Sequence, residues 1–457
     1  MTVQFPELAA IRLGFGLSPV LPPPADPAAV LADVAATAAA APSLTTAQAQ
    51  QMHLHFREID KKARDAGTPD SPEAKEVRRT MVDRRAMFSR LRMADCATAQ
   101  VGFGERLVQF WSDHFTVNPQ GPGVAPMVVA FVEEAIRPNI NGSFLDLLTA
   151  AETHPAMLLY LDQTQSVGDR SPFARKAKKP KQVGLNENLA REMMELHTLG
   201  VGAGYTQQDV RQLANLLTGL GYVPDDPDQR YFPRRAQPGA ETVLGQTFGG
   251  GRRDGIDAIH QMFAVLANRP ETAKFVARKL AVHFVADEPD DALVSDLAAA
   301  WGKNGDLPAV YAVLVSHPQL AQHFRGKVRQ PFDYIASGLR ALGMDRQSIL
   351  GLPDQQSRRW FNRAMALMGQ PFMNPSGPDG WKEAAEAWIN PQLLAQRIDW
   401  AMSAPRILLP ELPDPRNFMQ AALGGTESEL LARAVPRAES IRDGLGVVLA
   451  SNDFNRR

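Results

Sequence analysis

The chain has 457 residues, 44% of them hydrophobic, with 49 basic and 50 acidic side chains. It is long enough to bury a large core. A formal charge of −1 excludes a global field that would draw it onto nucleic acid or an anionic membrane, and a single cysteine excludes an intramolecular disulfide or a cysteine-rich metal site.

Residues 6–15 read as a short helix ending at Gly14-Phe15-Gly16. The opening MTVQFPELAAIRLGFG carries Glu7 early and has no long apolar run, so it does not read as a signal peptide and a cytoplasmic location is expected. No window has the apolar length that spans a bilayer. A Pro-rich loop, Pro19 to Pro27, leads into an Ala-rich helix that reaches about Ala41 and suits an edge better than a core.

From Thr45 to Cys96 the pattern is helical, interrupted by Gly67, Pro69 and Pro72. Basic and acidic residues interleave, which predicts a solvated, salt-bridged hairpin and argues against a nucleic-acid surface. Cys96, beside Ala94 and Ala97, reads as a small buried hydrophobe.

Glu105 to Phe115 is amphipathic, with Leu107, Phe110, Trp111 and His114 on or near one face and Glu105, Gln109 and Ser112 opposite. His114 therefore points inward, either as a buried neutral histidine or as a ligand or proton-transfer group in a pocket. Pro126 to Arg137 is a further helix, stopped by Pro138. Ser143 caps the next, with Asp146 at its third position. Pro155 starts PAMLLYLD, and Asp162 lies at its C-terminal end, unfavourably placed against the helix dipole. It either pairs with an arginine or a metal, or caps the following turn.

Gln163 to Gln182 breaks the helical pattern. Its run ARKAKKPKQ carries five positive charges and no acid, and reads as a mobile loop, either a lid over the central helix that suits an anionic substrate or partner or a solvated excursion.

The stretch GLNENLAREMMELHTLGVGAGYTQQDVRQLANLLTGLG, Gly184 to Gly221, is the most densely patterned. A helix is expected over Asn186 to Leu199, and a second from Thr206, where Thr206 and Asp209 form a capping pattern. At about 100° per residue, Asn188, Arg191, Glu192 and Glu195 share one face and His197 lies on the other. Two carboxylates one turn apart suit a metal or an acid–base pair. Glu187, Arg191 and Glu195 equally form an i, i+4, i+8 ladder of surface ion pairs.

Tyr222 to Phe248 has strand character, with Glu241 to Phe248 alternating, and predicts a small hairpin closed by Gly249-Gly250-Gly251. These glycines do not make a phosphate loop. Helices follow over Asp254 to Ala267, Pro270 to Val285, Asp291 to Trp301, Asp306 to Ser316, Pro331 to Leu342 and Ser357 to Met368. The loop GQPFMNPSGPDGW, Gly369 to Trp381, suits a pocket mouth. Pro391 to Ser403 and a last helical pair complete the chain.

The central stretch resembles the signature of the bacterial family known as domain of unknown function 1800. Other pieces agree in the same order: GFG, ERLVQFWSDHF, EAIRP, HPAMLLYLDQTQS, ARKLAVHFVAD, RQPFDYIASGLRALG and PDGW. The resemblance covers nearly the whole chain. It implies a functional part for His114, and a sulfatase-like protein as partner, because relatives are often encoded beside such proteins. Many relatives appear to be exported, a pattern from which this chain's opening departs.

No zincin, nucleophile-elbow, thiol-redox, EF-hand, nucleotide or haem motif is present. Carboxylates, histidines and arginines remain. Candidate catalytic residues are Glu192, Glu195, His114 and Asp162. Asn188, Arg191 and Trp381 are candidate substrate contacts. Glu192, Glu195 and Asp113 are candidate ligands for a divalent cation, since hard oxygen donors suit Mg²⁺, Ca²⁺ or Mn²⁺. The expected fold is all-α with a minor hairpin near 222–248. One integrated unit is expected, with sub-regions 1–100, 101–248 and 249–457. The expected function is a hydrolase or lyase on an anionic or carbohydrate-like substrate; the alternative is a non-catalytic partner of a sulfatase-like enzyme. Neither a nucleic-acid partner nor a membrane span is expected.

Overall fold

A computed structural model describes residues 3–119, 121–176, 184–224, 229–251 and 255–457. Within them the chain is all-α, with one two-stranded antiparallel sheet. Most of the basic run expected to act as a lid, residues 177–183, lies outside the described residues. So does Asp254, the expected start of the later helices. No described helix is long and apolar enough to cross a membrane.

Helix starts follow from local chemistry. Ser71 accepts the amide of Ala74 and Pro72 opens the 27-residue helix Pro72–Thr98. Thr45 and Gln48 form a reciprocal capping box on Thr46–Asp65. The two helices make the expected mixed-charge hairpin, in which Asp60 meets Arg64 at 3.0 Å and Arg78 at 2.9 Å. Thr206 and Asp209 form a second capping box on Gln207–Leu217. At Pro155–Tyr160 the cap is His154, whose Nδ1 accepts the amide of Ala156.

The expected Asn186–Leu199 helix is shorter and changes pitch. It runs as an α-helix over Asn188–Glu192 and as a π-helix over Met193–His197. A π turn takes one more residue per turn, so each residue advances by less than 100°. That shift alters which side chains share a face beyond Glu192. Asn186 stays outside the helix, where its Oδ1 accepts the amide of Asn188 at 2.8 Å.

The hairpin is narrower than expected. Strand β1 is Ala240–Val243 and β2 is Gln246–Gly249, with Val243 opposite Gln246. The two-residue turn, Leu244-Gly245, has positive φ at both positions (51° and 77°), which matches the twist of a tight hairpin. It docks through the amide of Leu244, which donates to Asp209 Oδ1 at 2.8 Å.

Two hydrophobic cores carry the architecture. The larger gathers Phe103–His114, Phe144–Thr153, the central helix, Gln207–Leu217, Gly255–Ala267 and Pro270–Phe284, around Trp111, Phe144 and Leu280. The smaller gathers Pro331–Ala341, Pro391–Ser403 and Ile441–Ala450, around Tyr334, Trp400 and Phe454. Pro72–Thr98 serves both, since Phe88 packs into the first and Met93, Ala94, Cys96 and Ala97 into the second.

Between the cores lies a buried polar hub. Arg12, Arg106, Arg329 and Arg457 are each at most 2% exposed. Arg106 meets Asp333 at 3.0 Å and donates to His283 Nε2 at 3.2 Å. An arginine can only donate, so His283 Nε2 is the acceptor, and its Nδ1–H donates to Glu383 at 2.6 Å. Lys327 closes the chain of contacts, with Glu383 Oε2 at 3.1 Å and Asp287 beside it. The other arginines staple carbonyls: Arg12 holds those of Val285 and Arg457, and Arg329 that of Phe454. Breaking such a buried pair by removing one partner costs about 3–5 kcal/mol, because the other charge is left behind.

Candidate functional site

The cleft is built by three segments distant in sequence. Asp113 and His114 end the helix Phe103–His114. Phe275, Arg278 and Lys279 come from Pro270–Phe284. Asp379, Trp381 and Glu383 come from the loop after Gly369. Together with Phe110 and Val282 they line a cavity of about 210 Å³.

The loop is brought against Asp113 by its backbone. The amide of Trp381 donates to Asp113 Oδ1 at 2.9 Å. Gly380 has φ +74°, and a Cβ there would stand 2.7 Å from Asp113 Oδ1 and 2.8 Å from its carbonyl oxygen. Only glycine permits both the conformation and the approach. The loop is fixed further along as well. Asn118 donates to the Pro375 carbonyl at 2.8 Å, and Arg85 to that of Phe372. At its far end Glu383 is locked into the hub by His283 and Lys327.

Charge in the cleft is less well matched. Burial pushes the Asp113 carboxyl up to about 7, with Glu383 and Asp379 adding to the shift. The Trp381 amide and Lys279 oppose it. Burial lowers the Lys279 ammonium, partly offset by Asp113, Glu383 and Asp379. Its ammonium lies over the face of Phe275, 5.7 Å from the ring centroid. Glu383 moves the other way: burial raises it, but His283 and Lys327 outweigh that and hold it well below the usual carboxylate range.

His114 is buried at 1% exposure. Burial, then Lys279 and His197, hold it well below the ordinary histidine value, so it is neutral. Its Nε2–H donates to the His197 carbonyl at 3.0 Å. His197 in turn meets Glu152 at 2.6 Å through Nδ1, with both side chains fully enclosed. His114 Nδ1, His197 Nε2 and Glu152 Oε2 have no hydrogen-bond partner among the described residues.

The sequence candidates fall into two groups. Asp113, His114 and Trp381 line the cleft. Glu192 is not part of the lining; it is half-buried, and its carboxyl is raised by burial, with Glu195 and Asp379 adding to the shift and His197 and Arg191 opposing it. His197, expected on the opposite face, still acts on Glu192 electrostatically, across a π turn that changes the angle per residue. The others engage elsewhere. Arg191 meets Glu187 and Glu195 at 3.3 Å each, and Gln207 joins at 2.9 Å, which is the surface ladder. Asn188 is exposed. Asp162 takes a left-handed conformation (φ 55°) and accepts from Gln165 at 2.9 Å, closing the turn after its helix. Among the described residues no group of three or more His, Cys, Asp or Glu is arranged to hold a metal ion, so Asp113, Glu192 and Glu195 do not form such a set.

Sequence reasoning did not single out Lys279, Asp379 or Glu383. Lys279 lies inside ARKLAVHFVAD and Asp379 inside PDGW, two of the motifs that carried the resemblance, but neither had a local pattern that assigned chemistry.

The family model described as protein of unknown function (DUF1800) matches residues 9–456. No curated protein and no solved structure matches the chain. The chain belongs to the DUF1800 family, which carries no assigned reaction.

Proposed function

We propose that the cleft is the active site of a hydrolase that cleaves an ester-like acyl bond, with Asp113 as general base. The observation that supports this reading is Asp113 itself: a carboxyl fixed by the Trp381 amide, facing a cavity, and pushed up to about 7. A base whose pKa sits near the working pH is well matched to moving a proton. In the proposed step Asp113 takes a proton from water, and the water oxygen adds to the substrate carbonyl. The C–O bond to the leaving alcohol then breaks and the proton passes to that alcohol. Lys279 supplies positive charge beside the developing oxyanion.

An ester fits better than the carbohydrate-like substrate expected from the sequence. Glycoside cleavage takes a pair of free carboxyl groups. Here Glu383 is committed to His283 and Lys327, and Asp379 is exposed and meets Lys382 at 2.7 Å. The test is hydrolysis of short p-nitrophenyl esters between pH 5 and 9. We expect kcat/KM to rise through one ionisation near 7, and Asp113→Asn to lose about 10²–10⁴-fold. A pH-independent rate, or an unchanged rate in Asp113→Asn, contradicts the proposal.

A second reading, a non-catalytic partner of a sulfatase-like protein, draws on a different surface. Ile398, Ile407, Leu430, Ile441 and Val447 are exposed on the C-terminal helices, Leu430 at 79%. If this surface docks a protein, Leu430→Glu abolishes co-purification with a sulfatase-like protein and leaves ester turnover intact. Unaltered co-purification argues against it.

A further inference from the structure

Asp113 and Trp381 line a second cavity as well, one whose lining does not include Lys279. This one holds about 80 Å³. It opens where the two hydrophobic cores meet, with Val128, Val129 and Val132 from the larger and Phe332 and Met365 from the smaller. Junctions of this kind are favoured places for small-molecule sites. Phe372 and Met373 of the loop that carries Trp381 complete the wall.

Its charged lining, Asp113 apart, is Arg92 and Glu133, and both are already neutralised. Arg92 meets Glu105 at 2.5 Å, and Arg137 meets Glu105 at 2.5 Å and Glu133 at 3.2 Å. Glu133 also accepts the amide of Ser43 at 2.9 Å. Two cations and two anions close on one another, so the cavity offers no free charge to an ionic group. What it offers is methyl and ring surface, with Gln109, Ser112, Thr116 and Gln370 at its polar positions. An apolar cavity of about 150 Å³ admits benzene. At about half that volume this one admits a short or branched aliphatic group more readily than an aromatic ring.

The geometry points to an acyl-group pocket: the substrate carries a short neutral aliphatic group, which enters the Val128–Val129–Val132 cavity and sets its carbonyl against Asp113, while the polar remainder lies in the Lys279 cleft. This rests on the reading of Asp113 as the catalytic base and adds the substrate class, an ester of a short aliphatic acid. Asp113 is where the apolar and cationic halves adjoin.

Binding is separable from turnover by using amides as probes. Acetamide, butyramide, hexanamide and decanamide are titrated into the Asp113→Asn protein by ligand-observed NMR. Affinity is expected to rise about threefold to fourfold per added methylene through butyramide, then to level off or fall by decanamide. Val129→Trp fills the cavity and abolishes the chain-length dependence. Phe372→Trp, on the half-buried loop side, does the same if Val129→Trp does not fold. Affinity indifferent to chain length, or unchanged in a folded filled variant, overturns the pocket. Chain-length-dependent binding without Asp113-dependent ester turnover removes the catalytic reading alone. Turnover through Asp113 that ignores acyl length removes the pocket alone.

Discussion

Glu383, at the end of the loop, and Asp113, against the loop's backbone, are two carboxyl groups lining one cleft; burial raises both, and for Glu383 its partners reverse the shift. Glu383 is met by His283 and Lys327, and its charged form is secured. Asp113 has the Trp381 amide as donor and a lysine nearby, and its neutral form is favoured up to about 7. The hub is buried charge with partners placed for it. The cleft is buried charge left short of them. The first arrangement holds two cores together; the second leaves a group able to exchange a proton at neutral pH.

The comparison breaks most visibly at Arg106. Arg106→Leu takes from Asp333 its nearer partner, leaving it to Arg457 at 3.8 Å, and leaves His283 Nε2 without its donor. The expected loss is about 3–5 kcal/mol, read by urea unfolding. A loss below about 1 kcal/mol would mean that the hub behaves like surface charge. Next in size is Gly380→Ala. The new Cβ stands 2.7 Å from Asp113 and is held at φ +74°. Strain of this kind costs about 1–3 kcal/mol, and ester turnover should fall with it because the Trp381 amide is displaced.

A third test uses pH. Asp113 has its folded value raised from 3.8 to about 7, so the folded state holds the proton where the unfolded chain has lost it. Stability contributed by this group is full below about 4 and declines as pH rises toward about 7. Screening in a partly open cleft keeps the change on the order of 1–2 kcal/mol. Asp113→Asn should flatten that segment of the stability–pH curve, and an unchanged slope would assign it to another group. The smallest effect belongs to the ladder. Glu187→Gln removes a half-exposed pair at 3.3 Å and should cost no more than about 0.5 kcal/mol, less in high salt. A larger, salt-insensitive loss would give the central helix a role in the cleft that the ladder does not.

Much of the helical scaffold was legible because its signals are local. Ser143, and Thr206 with Asp209, mark helix starts through bonds made within three residues, and Pro155 marks one because it has no N–H to satisfy there. His114 is enclosed as the spacing of Phe103–His114 requires, but Glu105, expected on the opposite face, is buried too, in ion pairs with Arg92 and Arg137. The π turn at Met193–His197 was not legible, since the same apolar residues satisfy either pitch. The ladder of Glu187, Arg191 and Glu195 was present in the spacing as one of two readings. The cleft was legible only in fragments. Asp113, His114 and Trp381 sat in recognisable motifs, but their convergence with Lys279 and Asp379 depends on segments more than a hundred residues apart. Nothing local to Pro270–Phe284 states that Lys279 faces a carboxyl on another helix.

The most direct measurement compares two isosteric substitutions, Asp113→Asn and Asp333→Asn, by unfolding free energy at pH 8. An asparagine at 113 can still accept the Trp381 amide while shedding a charge that burial disfavours. That protein should be as stable as the original or more so. An asparagine at 333 strips Arg106 and Arg457 of their carboxylate and should lose about 3 kcal/mol or more. Equal losses in the two proteins would contradict the division of this molecule into a satisfied hub and an unsatisfied cleft.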